Sequence, residues 1–317
     1  MMPIIRTSLL LAQPGRLLGG KHIWKYLFRS LAHHHHAMNW ARYIQADARL
    51  TELAASQPHI LLKLQRPYLR ANVPTADKLN WLCDHYYWML AYWPWDFVQV
   101  MYRQGEVELA RIGAQENHYR ILLGPAERCS KEGELVLYLE RNGETLAFLA
   151  FSVHQCDKHW TVNIGCLQGP SPEMGLELVK TATKELHGLR PKQAILVALY
   201  ALMRHQGVER TIAASNRTHI YQHSARHNQR ITADYDSFWQ EMGGVATETG
   251  FDLPTQLWRK SVAEIASKKR AQYRRRHELE DQMVSAIRAA LPLSSKTTPI
   301  KTVSIFHEHL EILDQAA

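Results

Sequence analysis

The chain has 317 residues, of which 46% are hydrophobic and 21% are charged, a composition that excludes a disordered or collagen-like protein. Its net charge of +8 is uneven, because residues 1–46 carry +6 and residues 259–276 carry +7. The remainder therefore carries −5, so the sequence predicts a mildly acidic body with two basic regions. This pattern favours contact with anionic groups at two places rather than a uniform nucleic-acid-binding surface.

Targeting signals and cysteine spacing restrict the cellular setting. The sequence contains no apolar run of about 18 residues, which excludes a transmembrane helix. The apolar stretch at residues 9–12 is too short for a secretory signal, so a cytoplasmic location is expected. The four cysteines fit neither a zinc site nor a disulfide scaffold and are interpreted as free thiols.

The first predicted element is a basic amphipathic helix over residues 21–31, which either docks on the body or lies on a membrane surface. The histidine tract at residues 33–36 cannot close a coordination shell, so we interpret it as a polar linker and expect no metal. Residues 39–104 are predicted to be helical, with breaks at prolines. Eight aromatic residues between Trp81 and Phe97 form either core or the lining of an acyl or lipid pocket.

Three antiparallel strands are predicted next, over residues 134–140, 145–153 and 159–167, with Asn142 and Gly143 as a two-residue turn. Gly165 interrupts the third strand and marks either a bulge or a close approach of a ligand to the backbone. A candidate cofactor-binding role is assigned to it on the second interpretation.

Two helices are predicted over residues 172–187 and 191–206, because each begins with proline and is followed by glycine. A strand over residues 210–214 follows, which predicts an α+β or mixed α/β fold with a helical N-terminal layer. Residues 216–230 are predicted to be a polar loop or irregular helix, and residues 261–290 a long basic helix. The sequence therefore predicts five consecutive regions: a basic segment at residues 1–46, a helical region at 47–125, a mixed sheet domain at 126–260, the basic helix at 261–292 and a peripheral tail at 293–317.

Several motifs resemble the VirK/YbjX family of Gram-negative bacteria. The most specific runs are NIGCLQGP at residues 163–170, DYDSFW at 234–239 and SKKRAQYRRR at 267–276, and the similarity spans residues 60–290. The resemblance implies a bacterial protein associated with virulence, envelope maintenance and resistance to cationic antimicrobial peptides, and it implies no reaction.

The order of strands and helices also resembles the core of an acyl-CoA N-acyltransferase of the GNAT type. In that fold the turn before the central helix holds the cofactor pyrophosphate, which here corresponds to residues 188–193. Free N–H groups at a helix start favour phosphate. The resemblance therefore implies acyl-CoA as cofactor and Gly188, Arg190, Lys192 and Gln193 as binding residues. This chain departs from that pattern at Pro191 and lacks the later glycines of the turn.

Acyl transfer to an amine needs a base for the amine proton and an acid for the leaving thiolate. The candidates in the polar region after the last predicted strand are Tyr221, His219, Asp234, Asp236 and Glu241. The alternative interpretation is a hydrogen-bonded loop anchored by Phe238 and Trp239.

The basic run supplies candidate anion-binding residues: Lys268, Lys269, Arg270, Arg274, Arg275 and Arg276. These side chains go too far around a helix to form one solvated stripe, so some are expected to meet acids, phosphates or a wet cleft. The alternative is a basic helix neutralised by the acidic body. Nucleic-acid binding is not expected, since no helix-turn-helix, zinc-finger or aromatic-strand motif accompanies the charge.

Two functional hypotheses follow from these features. The first is a cytoplasmic acyltransferase-like enzyme that acts on an envelope component or an amine. The second is a non-catalytic envelope-stress factor, peripheral at the inner membrane, that binds anionic lipid or a partner protein through its basic segments. The sequence does not predict the oligomeric state.

Overall fold

The computed structural model describes residues 28, 30, 34–113, 117–170, 175–223, 234–256 and 259–292. The basic helix predicted over residues 21–31 falls outside these ranges except for residues 28 and 30. Residues 224–230 of the predicted loop 216–230 and the whole predicted tail at 293–317 also fall outside them. None of the helices in the described ranges is both long and apolar enough to cross a membrane.

An N-terminal layer consists of helices, as the sequence predicts, with proline at three of the four breaks between them. Its elements are α1 (His34–Ala46), α2 (Ala48–Ser56), a 3-10 helix (Pro58–Gln65), α3 (Thr75–Tyr92) and α4 (Trp95–Gln104). The Asp47 carboxylate begins α2 by accepting a hydrogen bond from the Arg49 N–H at 2.8 Å. Trp88 and Trp93 are completely buried. The aromatic-rich segment therefore contributes to the hydrophobic core.

The remainder of the fold is built around one eight-stranded sheet. Its strands are β1 (Val107–Ile112), β2 (Tyr119–Pro125), β3 (Leu135–Arg141), β4 (Glu144–Cys156), β5 (His159–Gln168), β6 (Arg210–Ala213), β7 (Val245–Thr247) and β8 (Gly250–Leu253). They are arranged in the order β1-β2-β3-β4-β5-β6-β8-β7. Among these strands, β5 and β6 form the one parallel pair, and every other neighbouring pair is antiparallel.

Four helices accompany the sheet: α5 (Gly175–Glu185), α6 (Pro191–His205), α7 (Tyr235–Glu241) and α8 (Arg270–Ala290). Helix α6 packs on β3, β4 and β5, and α8 packs across α6 and beside β1. Leu279, Met283 and Ile287 supply the buried face of α8. The predicted mixed α+β class, with a helical layer and a mostly antiparallel sheet, is confirmed.

Two segments differ from the sequence predictions. The long basic helix begins at Arg270 rather than at residue 261, because the preceding residues form 3-10 turns at Val262–Glu264 and Ser267–Lys269. The Glu264 carboxylate accepts the Ser261 N–H at 2.8 Å, a local bond that closes the first of these turns. The region predicted to be helical up to residue 125 ends in β1 and β2, since β2 pairs with β3 and β1 pairs in turn with β2.

Candidate active site

The two parallel strands separate at their carboxyl ends. Strands β5 and β6 pair up to Ile164 and Ala213, and the Ala214 N–H still donates to the Ile164 carbonyl at 2.9 Å. Beyond this point β5 continues to Gln168, whereas the segment after β6 leaves the sheet and forms a 3-10 helix at Ile220–His223. Such separations at carboxyl ends of parallel strands are common ligand sites. Helix α7 packs against this separation, and the Trp239 indole N–H donates to the Ala214 carbonyl at 3.0 Å.

A buried histidine and carboxylate meet here. The His219 Nε2 lies 3.5 Å from the Glu132 Oε1, and the two side chains are only 2% and 3% exposed. The Tyr221 backbone N–H donates to the His219 Nδ1 at 3.4 Å, which places the ring proton on Nε2, facing the carboxylate. This arrangement orients an imidazole and stabilises its positive charge if it accepts a proton.

Two tyrosines lie beside His219. The Tyr235 ring stacks on the imidazole with 5.1 Å between ring centroids, and the Tyr221 ring lies at 5.4 Å. Burial raises the pKa of Tyr235, while a hydrogen bond with the Leu167 backbone lowers it. The net pKa stays well above the usual value, so Tyr235 keeps its proton at neutral pH. Tyr221 is half-buried, and the Lys131 ammonium lies over its ring at 5.6 Å.

The three predicted carboxylates are used mainly to hold α7. Asp234 caps the helix by accepting the Ser237 hydroxyl and backbone N–H, which lower the pKa of Asp234. Asp236 accepts the Asn216 N–H at 2.7 Å. Glu241 forms an ion pair with Arg190. None of these three contacts includes His219, and their assignment as catalytic residues stays a prediction.

The start of α6 packs against α7, so two predicted cofactor-binding residues lie next to the predicted catalytic segment. Arg190 and Lys192 both lie 6.0 Å from the centre of the Phe238 ring. Burial, and then the nearby Arg190, lower the pKa of Lys192. Within the described ranges, no carboxylate forms an ion pair with Lys192, which makes it a half-buried cation available to an anion.

Gln193 has a local role at the same helix start. Its side-chain oxygen accepts the Arg190 N–H at 3.4 Å, and its amide nitrogen lies 3.9 Å from the sulfur of Met242, the residue that follows α7. These contacts close the first turn of α6 and attach it to α7.

The two predicted glycines have packing roles. Gly165 is the unpaired residue of a bulge between β4 and β5, because Ala150 pairs with Cys166 and Phe151 with Ile164. A Cβ at Gly165 would lie 2.0 Å from the Glu132 carbonyl oxygen, so protein backbone rather than a ligand occupies this space. Gly188 ends α5 with φ of +90° and lies beside Gln272 of α8.

The residues of the predicted anion-binding run fall into two groups, those that contact other protein groups and those that are exposed. The Arg276 Nε donates to the buried Glu280 at 2.9 Å, and the Arg270 Nε donates to the Ile265 carbonyl at 2.9 Å. In contrast, the remaining four side chains are exposed and form no ion pair with any described residue. These are Lys268, Lys269, Arg274 and Arg275.

Glu132 and Tyr235 are the two residues of this centre that sequence reasoning did not assign. Tyr235 lies within the DYDSFW run at residues 234–239, between two carboxylates that were assigned. Glu132 precedes β3 by three residues, and no catalytic or ligand-binding motif in the sequence includes it. Its neighbours Lys131, Gly133 and Glu134 are charged or small, so no local pattern predicts the burial of Glu132.

Comparison with known proteins assigns the chain to a family. The family model described as "Protein of unknown function (DUF535)" matches residues 19–289. The "Uncharacterized protein YbjX" of Escherichia coli (strain K12) is 35% identical over 263 residues, which cover 81% of this chain and 79% of the relative.

An "Uncharacterized protein" of Haemophilus influenzae (strain ATCC 51907 / DSM 11121 / KW20 / Rd) is 24% identical over 284 residues, covering 89% of this chain and 92% of the relative. No solved structure matches the chain significantly. The extent of the family match and the similarity to YbjX agree with the motif resemblance, and the chain therefore belongs to the DUF535 family, the family of YbjX.

Proposed function

We propose that this protein is an acyl-CoA-dependent N-acyltransferase-like enzyme that acts on an amine of the bacterial envelope. The observation that carries the proposal is the meeting, along α7, of a buried His219–Glu132 pair with the cationic start of α6. Both lie at the separated carboxyl ends of β5 and β6. The single parallel pair in an otherwise antiparallel sheet, with α6 in the crossover, supports the GNAT-type resemblance.

The residues divide into a binding group and a proton-transfer group. Acyl-CoA would supply an activated acyl group, and its phosphates suit Lys192, a desolvated cation beside Gly169 at the end of β5. Arg190 is less available, because Glu241 already neutralises it. Pro191 removes one backbone donor from this turn.

Proton transfer is assigned to His219 and Tyr235. With its Nε2 proton directed to Glu132, His219 has its lone pair on Nδ1, where it accepts the Tyr221 N–H at 3.4 Å. This long contact would have to give way before Nδ1 takes the proton of an attacking amine. The Glu132 carboxylate stabilises the resulting imidazolium. Tyr235 holds a proton on its hydroxyl and is assigned as the acid for the departing thiolate.

Calorimetry with acetyl-CoA and palmitoyl-CoA tests the binding part of this proposal. We expect at least one of them to bind the wild type, and Lys192→Ala to weaken that binding by about tenfold through loss of one charged contact. Lys184→Ala is the matched control, since Lys184 is an exposed cation on α5. Failure of both ligands to bind the wild type would refute the cofactor assignment.

The catalytic part is tested by release of free CoA in the presence of phosphatidylethanolamine or a polyamine as acceptor. Tyr235→Phe keeps the stacked ring and removes the proton, so we expect a lower turnover with unchanged affinity for acyl-CoA. His219→Gln removes the proton acceptor from beside Glu132, so we also expect a lower turnover in that variant. Equal turnover by the wild type and both variants would contradict the assigned roles.

The exposed cations of the 267–276 run favour a second candidate, a protein that binds anionic lipid at the inner face of the envelope. In flotation assays, phosphatidylglycerol vesicles should carry the wild type at low salt and release it at high salt. A variant with Lys268, Lys269, Arg274 and Arg275 replaced by alanine should not float. Binding to phosphatidylcholine vesicles, or binding insensitive to salt, would exclude this candidate.

The virulence, envelope-maintenance and peptide-resistance role rests on the VirK/YbjX resemblance. Both candidate activities are compatible with that role. An acyltransferase could modify envelope amines, whereas a lipid-binding protein could act at the membrane surface.

A further inference from the structure

A separate cleft of about 610 Å³ lies between α6 and α8. Its walls come from the C-terminal half of α6, from α8 and from the segment after β8, with Gln256 and Arg259 supplied by that segment. With a helical rise of 1.5 Å per residue, Arg204 lies about 18 Å along α6 from Lys192. The cleft is therefore distinct from the candidate active site, and its volume is within the range of small-molecule sites.

The cleft contains cations that its own acids do not neutralise. The Glu280 and Asp281 carboxylates both bind Arg259, at 2.7 Å each, and Glu280 also binds Arg276. Among the described residues, Arg204 donates only to the neutral Gln256 side chain, at 2.8 Å. Arg288 forms no ion pair with any residue in the described part of the chain. Two guanidinium groups in the cleft thus remain without a carboxylate.

The remaining wall combines an apolar surface with one unsatisfied hydroxyl. Val197, Ala201 and Val284 also line the cleft. Tyr200, only 7% exposed, also lines it, and its hydroxyl has no hydrogen-bond partner in the described structure. Burial raises the pKa of Tyr200, so the hydroxyl keeps a proton that it can donate. A buried donor without an acceptor is costly unless a ligand or water satisfies it.

We propose that this cleft binds a small amphiphilic anion, a carboxylate or phosphate monoester joined to a short hydrocarbon chain. The acidic group is held by Arg204 and Arg288, whose planar guanidinium groups suit both carboxylate and phosphate. The hydrocarbon chain lies on the apolar wall, and the Tyr200 hydroxyl gains an acceptor. The engaged carboxylates of Glu280 and Asp281 disfavour a cationic ligand.

Calorimetry on the full chain tests this proposal with four probes below their micelle concentrations: decanoate, decyl phosphate, inorganic phosphate and decyltrimethylammonium. We expect binding of at least one decyl anion, at least tenfold weaker binding of inorganic phosphate, and no binding of the cation. Decanoate and decyl phosphate together distinguish a fatty-acid ligand from a phosphate-bearing one.

Two variants locate the binding. Replacing Arg204 and Arg288 together by alanine should weaken binding of the decyl anion by at least tenfold, because two charged contacts are lost. Ser285→Trp places a large ring in the cleft from its exposed rim and should abolish binding, with thermal unfolding used to confirm that it folds. Arg128→Ala with Lys184→Ala removes two exposed cations elsewhere and should leave the affinity unchanged.

The proposal is overturned if no decyl anion binds, if decyltrimethylammonium binds equally well, or if the folded Ser285→Trp variant binds like the wild type. Acyl-CoA affinity should be the same in Ser285→Trp and in the wild type. That comparison separates this cleft from the candidate active site, so either assignment can fail without the other.

Discussion

Replacing Lys63 by methionine is expected to destabilise the protein strongly, because Lys63 forms a buried ion pair with Glu134. The ammonium lies 2.8 Å from the Glu134 Oε1 and donates to the Ser130 and Gly133 carbonyls at 2.7 and 2.9 Å. The side chains are 3% and 1% exposed. These contacts hold the loop that carries Glu132, so they also position the candidate active site.

The magnitude follows from what the substitution leaves behind. Without Lys63, the Glu134 carboxylate is buried with the Tyr86 hydroxyl, at 2.6 Å, as its remaining side-chain donor. Two carbonyls also lose a charged donor. Removing one partner of a buried pair costs about 3–5 kcal/mol in free energy of unfolding. Adding Glu134→Gln removes the stranded charge, so the double variant should lose about 2 kcal/mol less than the sum of the two single losses.

Urea unfolding followed by tryptophan fluorescence measures these free energies, and the four proteins of the cycle give the coupling between the two residues. Arg103→Met is the matched control, since its ion pair with Glu52 has side chains 65% and 43% exposed. An exposed pair is worth at most about 1 kcal/mol. The reasoning is refuted if Lys63→Met costs no more than Arg103→Met, or if the single losses are additive.

Further predictions concern the site and its surroundings. Gly165→Ala should destabilise by more than about 2 kcal/mol in urea unfolding, because its Cβ would lie 2.0 Å from the Glu132 carbonyl oxygen, whereas Gly175→Ala, whose nearest atom is 3.8 Å away, should not. Trp239→Phe should cost about 2 kcal/mol by leaving the Ala214 carbonyl unsatisfied, and a loss below about 0.5 kcal/mol would contradict the role of that bond. Burial lowers the pKa of both His59 and His85 from 6.5 to about 3, so the unfolded chain binds more protons between these values and stability should fall as pH drops from about 6.5 towards 3. His59→Gln should flatten that dependence, and an unchanged pH profile in this variant would show that His59 is already charged in the folded protein.

The elements that depend on local backbone chemistry were predictable. Pro191 and Gly207 bracket α6, since proline suits the first helical turn and glycine accepts the positive φ of +68° found after its end. Asn142 and Gly143, with φ of +50° and +87°, form the turn between β3 and β4. These residues act through their own conformational preferences, so neighbours in sequence suffice to identify them.

Strands β1 and β2 were not predicted, because their conformation depends on residues that are distant in the sequence. Strand β2 is buried along nearly its whole length, so the apolar and polar alternation that identifies a half-exposed strand is absent. Its conformation is decided by pairing with β1 and β3. The start of α8 was also misplaced, because the buried Ile265 and the turn at Val262–Glu264 continue the apolar pattern of the helix without its geometry.

By itself, the sequence determined the family, the mixed α+β class and the presence of a basic run at residues 267–276, all of which depend on composition and local pattern. Only the tertiary structure decided which chemical groups meet. It placed His219 against Glu132 across many intervening residues, and it divided the basic run into exposed cations and an arginine paired with Glu280. Ion pairing and proton transfer depend on distances between atoms, and those distances are determined when the strands pair and the helices pack on them.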